Sequence, residues 1–293
     1  MINLNGDSKM KILVLGISGM LGNGIFRKLS TFKDCKVYGT LRSASNLPAF
    51  KNDLHKNIIT EVDVENFYSL IDLFSKIKPD VVINCIGLVK QIEDSGNILR
   101  ALPINSLLPH RLAKMLSLSG TRFIHISTDC VFSGTKGMYK ETDIPDAIDI
   151  YGLTKLMGEV TYENTVTLRT SIIGHEIKTN RSLVNWFLAQ EGVVKGFSRA
   201  IFSGLPTVEL AEIIHRYIIP NKNLTGLYHI SANPIDKFSL LKIIAKVYKK
   251  NITIEEDKTF VIDRSLDSSR FRDLTGFCPS SWDNLIVSMH NFS

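Results

Sequence analysis

The first half of the chain alternates two kinds of apolar pattern. Short β-branched runs read as buried strands: KILVLG (11–16), KVYGTL (36–41), IITEV (58–62), DVVINCIG (80–87), RFIHIS (122–127) and VTLRTS (166–171). Between them apolar residues recur at helical spacing. Leu21, Ile25 and Leu29 do so in 20–32; Phe67, Leu70, Ile71 and Phe74 follow Asp63, which is expected to cap that helix; further helices are expected over Leu107 to Leu118 and from about Tyr151. Strands alternating with helices predict an α/β fold, a Rossmann-type doubly wound parallel sheet covered on both faces, with ligands beyond the carboxyl ends of its strands. The rhythm loosens after residue 172, where TVELAEIIHRYII (207–219) and SLLKIIAKVYKK (239–250) read as amphipathic helices around a short strand, GLYHIS (226–231). The expected division is a dinucleotide-binding domain over 1–172, with 205–232 returning to it, and a smaller C-terminal α/β substrate-binding cap built from 173–204 and 233–293.

Composition narrows the function classes. The 293 residues are 44% apolar, enough for a large core, and carry a formal charge of +6. The basic residues are scattered, with no stripe interleaved with aromatics, so nucleic acid is not the expected partner and an anionic small ligand is. No apolar run reaches about 18 residues, so no membrane span is expected. Lys9-Met10-Lys11 before ILVLGISGML imitates a signal peptide, but no small-residue cleavage site follows. Cys35, Cys85, Cys130 and Cys278 lie far apart without a CxxC pair, and His175, His215, His229 and His290 show no ligand spacing. No metal site is expected, and reduced thiols suit a cytoplasmic protein.

Candidate chemistry begins with GISGMLG (16–22), at the junction of the first strand and first helix. Gly16 permits the tight turn, Gly19 lets a pyrophosphate approach the backbone and Gly22 lets the helix pack on the strand; Ser18, Met20 and Leu21 complete the loop. The second strand ends at Thr40-Leu41-Arg42-Ser43, without the acid that an NAD site uses to hold a ribose. Arg42 is suited to a 2′-phosphate, so NADPH is expected, with NADH as the alternative. Asp63, beside Val64, is placed to accept from an adenine amino group.

Tyr151 and Lys155, in YGLTK, share a helix face at i and i+4. Reduction of a ketone needs a proton at oxygen, and a neighbouring ammonium is expected to lower the phenol pKa towards a working value. HISTDCVFSG (125–134) supplies a hydroxyl. Strand alternation puts Phe123, His125 and Ser127 on one face and Ile124, Ile126 and Thr128 on the other, which separates His125 from Thr128 and disfavours a Cys–His or metal reading. Lys90 and Gln91 after the fourth strand, and Arg199, are further candidates for substrate phosphate or sugar.

These motifs, with NCIG (84–87), LRTSIIG (168–174) and GLPTVELA (204–211), resemble the extended short-chain dehydrogenase/reductases over nearly the whole chain, and most of all their dTDP-4-dehydrorhamnose reductase branch. The resemblance implies NAD(P)H-dependent reduction of a nucleotide-linked 4-keto-6-deoxyhexose for surface polysaccharide, with Thr128, Tyr151 and Lys155 catalytic. It implies Asn84, Cys85, Ile86 and Gly87 beside the cofactor, Asn105 behind the catalytic centre, and Asp129, Cys130, Ile172 and Arg264 towards the nucleotide sugar. A homodimer is compatible with it. The rhamnose enzymes usually carry Tyr where this chain has Cys130 and Trp where it has Ile172. Two smaller side chains leave room for a bulkier sugar, so the sharper expectation is a UDP-2-acetamido-2,6-dideoxy-4-hexulose, with dTDP-4-dehydrorhamnose behind it. The alternatives are an epimerase or dehydratase with bound NAD, and a non-catalytic NADP-binding regulatory subunit.

Overall fold

A computed structural model describes residues 9–88 and 96–293. In chain order the strands are β1 (Met10–Leu15), β2 (Cys35–Thr40), β3 (Ile58–Ile59), β4 (Val81–Asn84), β5 (Arg122–Thr128), β6 (Thr165–Thr170), β7 (Ile172–Ile173), β8 (Val193–Phe197), β9 (Ala200–Phe202), β10 (Leu205–Pro206), β11 (Gly226–His229), β12 (Ile235–Asp236), β13 (Thr253–Asp257) and β14 (Ile262–Asp263). The helices are α1 (Met20–Leu29), α2 (Phe67–Ile77), α3 (Ile98–Ala101), α4 (Leu108–Ser117), α5 (Ile150–Met157), α6 (Leu183–Ala189), α7 (Thr207–Ile213), α8 (Lys237–Val247), α9 (Ser269–Thr275) and α10 (Trp282–Phe292).

Seven strands form one parallel sheet in the order β11-β6-β5-β4-β1-β2-β3. The order turns back at β1, which pairs with both β2 and β4, so a crevice opens where β1 and β4 end. Both faces are covered, as continuous apolar strands require. On one face Ile12, Val14, Ile124 and Ile126 pack with residues of α1, α7 and α10. On the other, Leu13, Leu15, Val82 and Phe123 pack with residues of α2 and α4. Ile124 and Phe123 thus fall on opposite faces, as their alternation predicts.

The chain leaves the sheet after β6 and comes back as β11, which lies beside β6 with Gly226 opposite Val166. Small sheets lie in between and beyond: β8 with β13, and β9 between β12 and β14. The pattern located the strands of the seven-stranded sheet but not those of the small sheets, and one cap differs from expectation. Asn66, not Asp63, caps α2, accepting from the amides of Tyr68 and Ser69. The third strand stops at Ile59, and Asp63 closes a turn of its own by accepting from Glu65 N at 3.0 Å.

Candidate active site

The glycine loop follows from steric necessity at two positions. Gly16 has φ +82°, and a Cβ there would lie 2.6 Å from Ile86 Cγ1. A Cβ on Gly22 would strike the carbonyl of Gly16. Gly19 is different: it is exposed, and the nearest atom to an added Cβ is Gly16 O at 3.7 Å. Neither packing nor backbone conformation requires a glycine at 19. Gly19 is also the N-cap of α1, and no side chain caps that end. Ser18 is exposed beside it, while Leu21 turns into the core and Met20 faces Gly174. Thr40 Oγ1 accepts from Gly16 N at 3.1 Å, tying the loop to the end of β2. Two residues on, Arg42 is exposed and holds no ion pair among the described residues. Asp63 is likewise exposed, with Val64 packed inward.

Beyond β4, Asn84 accepts from Ile86 N at 3.1 Å, so its carboxamide bends the strand end. The same side chain meets His125 Nδ1 at 3.2 Å. Burial holds His125 well below its ordinary pKa, so it stays neutral within the protein. Asn105 sits in a π-helical turn over Leu102–Leu107, ahead of α4. Its carboxamide accepts from Leu88 N at 2.9 Å and donates to Leu88 O and to Thr154 Oγ1, both at 3.2 Å. Asn105 therefore clamps the segment after β4 onto α5. Two glycines of the YGLTKLMGE motif bring α5 close enough. A Cβ on Gly152 would strike the carbonyl of Cys130, and one on Gly158 would strike that of Asn105.

Asp149 caps α5 by accepting from Gly152 N. From the first turn Tyr151 projects towards Thr128, whose hydroxyl acts on its titration by hydrogen bonding. Burial nevertheless dominates and pushes the Tyr151 phenol above its ordinary value, with the Cys130 thiol and the Asp129 and Asp149 carboxylates adding to the effect. The expected acidification by Lys155 is not found: loss of solvent dominates the Tyr151 phenol, and the Lys155 ammonium is not among the groups that lower it. Lys155 is buried, donates to Ile126 O at 2.7 Å, and is pulled down to about 8 by that burial. A Cβ on Gly87 would lie 3.9 Å from its Nζ, which places the amine beneath the segment after β4, where Cys85 is also half-buried.

Thr128 ends β5 and caps a short 3-10 turn over Asp129–Val131, its hydroxyl accepting from Cys130 N and donating to Asp129 Oδ1, both at 3.1 Å. Burial raises the Asp129 pKa and pushes the Cys130 thiol up to about 12. Burial raises the Cys85 thiol as well, so neither Cys85 nor Cys130 is a nucleophile at neutral pH. Arg264 reaches this turn, donating to Phe132 O at 2.8 Å and lying 3.7 Å from Cys130 Sγ. Ile172 is half-buried in β7, two residues beyond Thr170, which is the partner of Thr128 across β5 and β6. Arg199 lies exposed in the turn between β8 and β9 and touches none of these groups among the described residues. Lys90 and Gln91 lie outside the described residues.

Two features escaped the sequence. Glu159, just past α5, takes both ends of the Arg169 guanidinium at 2.7 Å and accepts from Ser127 Oγ at 2.7 Å, while Arg169 Nη1 meets His229 Nε2 at 3.3 Å. This buried network joins α5, β5, β6 and β11. Lys237, the first residue of α8, lies within electrostatic reach of Asp129 and Cys130. The helix expected over 239–250 left Lys237 outside it, and nothing in the sequence marked this lysine. Among the described residues, Asp34, Cys35 and His215 are grouped closely enough for a metal, but His215 already pairs with Asp34 at 3.0 Å.

Residues 10–258 match the family described as RmlD substrate binding domain. A dTDP-4-dehydrorhamnose reductase of Aggregatibacter actinomycetemcomitans is 24% identical over 259 residues, covering 80% of this chain and 88% of the relative. The methionine adenosyltransferase 2 subunit beta of Bos taurus is 30% identical over 155 residues, covering 51% of this chain and 41% of that protein. Among solved structures, a dTDP-4-dehydrorhamnose reductase from Bacillus anthracis in complex with NADP has the same fold, with a TM-score of 0.79 at 21% identity over 98% of this chain and 100% of that one.

Proposed function

The chain belongs to the RmlD substrate-binding domain family, and from that membership we propose that it is an NADPH-dependent reductase of the C4 ketone of a nucleotide-linked 4-keto-6-deoxyhexose. The observation that carries the reading is the convergence of Thr128 and Tyr151 at the end of β5, with Lys155 buried behind them. A regulatory subunit has no need of a buried, desolvated lysine beside a phenol.

The residues present fit the dinucleotide. The start of α1, without a side-chain cap, and the open face of Gly19 suit a pyrophosphate, and the exposed Arg42 guanidinium suits a 2′-phosphate. Arg42 standing where an NAD site uses an acid disfavours the bound-NAD epimerase or dehydratase reading. NADPH supplies hydride to the carbonyl carbon. Everything else falls to the side chains. The substrate carbonyl oxygen accepts from Thr128 Oγ1, whose proton turns away from Asp129, and from the Tyr151 hydroxyl. As negative charge develops on that oxygen, Tyr151 delivers its proton, which burial has kept on the phenol at neutral pH. The Lys155 ammonium, fixed on the Ile126 carbonyl, then stabilises the phenolate left behind.

The finer reading is a UDP-2-acetamido-2,6-dideoxy-4-hexulose, for surface polysaccharide. Cys130 and Ile172 support it: both stand at the carboxyl ends of β5 and β6, and both are small where the rhamnose enzymes are aromatic. The test is NADPH consumption against a panel of dTDP- and UDP-linked 4-keto sugars, with product stereochemistry from NMR. Fastest turnover of the UDP-acetamido sugar is expected. Much faster turnover of the dTDP-linked sugar overturns the substrate, and no turnover of any sugar overturns the reductase.

A further inference from the structure

Three side chains able to ligate a metal meet at the amino ends of the parallel strands, away from Thr128 and Tyr151. Cys35 opens β2, opposite Met10 of β1, and Asp34 precedes it. His215 comes from a π-helical turn, Ile214–Ile218, that continues α7. His215 Nε2 lies 3.0 Å from Asp34 Oδ2 and 3.2 Å from Oδ1. An Asp34 carboxylate oxygen, the Cys35 sulfur and a His215 ring nitrogen all fall within 4.8 Å of one another. His215 stands 181 positions from Asp34, so ligand spacing in the sequence had no means of showing the group.

The imidazole is held in place. Its ring stacks on Phe32, with centroids 3.8 Å apart and planes at 7°, which fixes the plane in which Nε2 meets Asp34. A π turn fits one more residue than an α-helical turn, an irregularity that recurs at functional sites. The other π turn among the described residues carries Asn105 of the active site. Lys28, 5.4 Å from the centre of the Phe32 ring, and Arg216, next to His215, are both paired with Glu212, at 2.7 and 3.2 Å. The Cys35 thiol is buried and the His215 side chain is only 19% exposed, but that of Asp34 is 68% exposed and leaves a way in from solvent.

One thiolate, one imidazole and one carboxylate match a borderline-soft divalent ion, whereas magnesium and calcium take oxygen ligands. A tetrahedral zinc sets such atoms about 3.3–3.6 Å apart. The imidazole and carboxylate are within a few tenths of that, and the sulfur has to close by about 1.5 Å at most. The present contact between His215 and Asp34 does not bar the ion. Nε2 coordinates once the ring proton sits on Nδ1, and the thiol releases its proton to solvent as the sulfur binds. Water completes the fourth position.

We propose that Asp34, Cys35 and His215 bind one Zn²⁺, and that the ion is a structural clip between the start of β2 and the helical segment that leads back to the sheet.

The test titrates the full chain, stripped of metal by a chelator and kept reduced, with Co²⁺ and Zn²⁺. One equivalent of Co²⁺ is expected to develop the near-ultraviolet thiolate-to-cobalt charge-transfer band, and Zn²⁺ to displace it. The melting temperature is expected to rise with Zn²⁺ and not with Mg²⁺. Cys35→Ser is expected to abolish the band. His215→Ala and Asp34→Asn, at side chains that reach the surface, are expected to weaken Zn²⁺ binding at least about tenfold. Cys278→Ser, which removes the exposed thiol, is expected to change none of these readouts. NADPH affinity is expected to be the same with and without the ion. Absence of the band, a band that survives Cys35→Ser or vanishes in Cys278→Ser, an unmoved melting temperature, or wild-type zinc affinity in His215→Ala overturns the proposal. If Cys35→Ser does not fold, the affinities of His215→Ala and Asp34→Asn decide.

Discussion

Removing the Tyr151 hydroxyl keeps the ring and takes away only the proton. Tyr151→Phe is expected to lower kcat by about 10²–10⁴-fold while NADPH affinity, read by fluorescence titration, stays at the wild-type value. Arg42→Ala is expected to act the other way round. Loss of a charge-assisted contact to the 2′-phosphate raises KM for NADPH by roughly tenfold or more and leaves KM for NADH unaltered, which steady-state kinetics with both nucleotides will register. These residues were legible in the sequence because short spacing fixes their relation: i and i+4 on a helix, or the end of a strand. Lys237 was not legible, since its electrostatic reach to Asp129 depends on how β12 docks on β9. Arg199 shows the converse, a plausible cation in the sequence that folding leaves on the surface.

At the level of elements, the catalytic helix is held by absence of side chains as much as by contacts. α5 meets the turn after β5 at Gly152 and the π-helical turn at Gly158. A methyl group at 158 has no direction in which to relax, because the obstacle is the backbone of Asn105. Gly158→Ala is expected to destabilise the protein by about 3 kcal/mol, seen as a lower urea midpoint, with activity falling alongside. Asn105→Ala removes the clamp between Leu88 and Thr154 without adding bulk. It is expected to raise KM for NADPH more than it lowers the melting temperature, since the released segment borders the crevice beside β1 and β4. The strands of the main sheet and helices α1, α2, α4, α5, α7 and α8 were predictable from periodicity, but the short strands of the small sheets and the α2 cap were not. Asp63 and Asn66 both suit a helix start, and register alone decided for Asn66.

Across the whole molecule, two lysines with pKa near 8 set a pH dependence. An unfolded lysine titrates near 10.4, so between about pH 8 and that value the unfolded chain holds protons that Lys155 and Lys237 have lost in the folded state. Stability then rises with pH. Burial raises the Cys35, Cys85 and Cys130 thiols, which works in the opposite sense once unfolded thiols ionise near pH 8.5 and above. Urea midpoints are therefore expected to climb from pH 7 to a little above 8 and to level off or fall beyond pH 9, with a shallower climb in Lys155→Met. The parallel sheet and its two-sided core followed from the alternating pattern, because buried parallel strands must be apolar throughout, whereas the strand order came only with the structure. The partners of Arg169 did not, since Glu159 and His229 reach it from different elements.

The return of the chain as β11 carries a consequence for synthesis. Until residue 229 has left the ribosome, β6 is the outermost strand, presenting a full row of unmatched amides and carbonyls to any other nascent chain. Arg169 would at that stage have Glu159 but lack His229. A fragment ending near residue 172 is thus expected to be sticky rather than a free-standing nucleotide binder, and the stretch between β6 and β11 is a detour that the sheet must wait for before it can close.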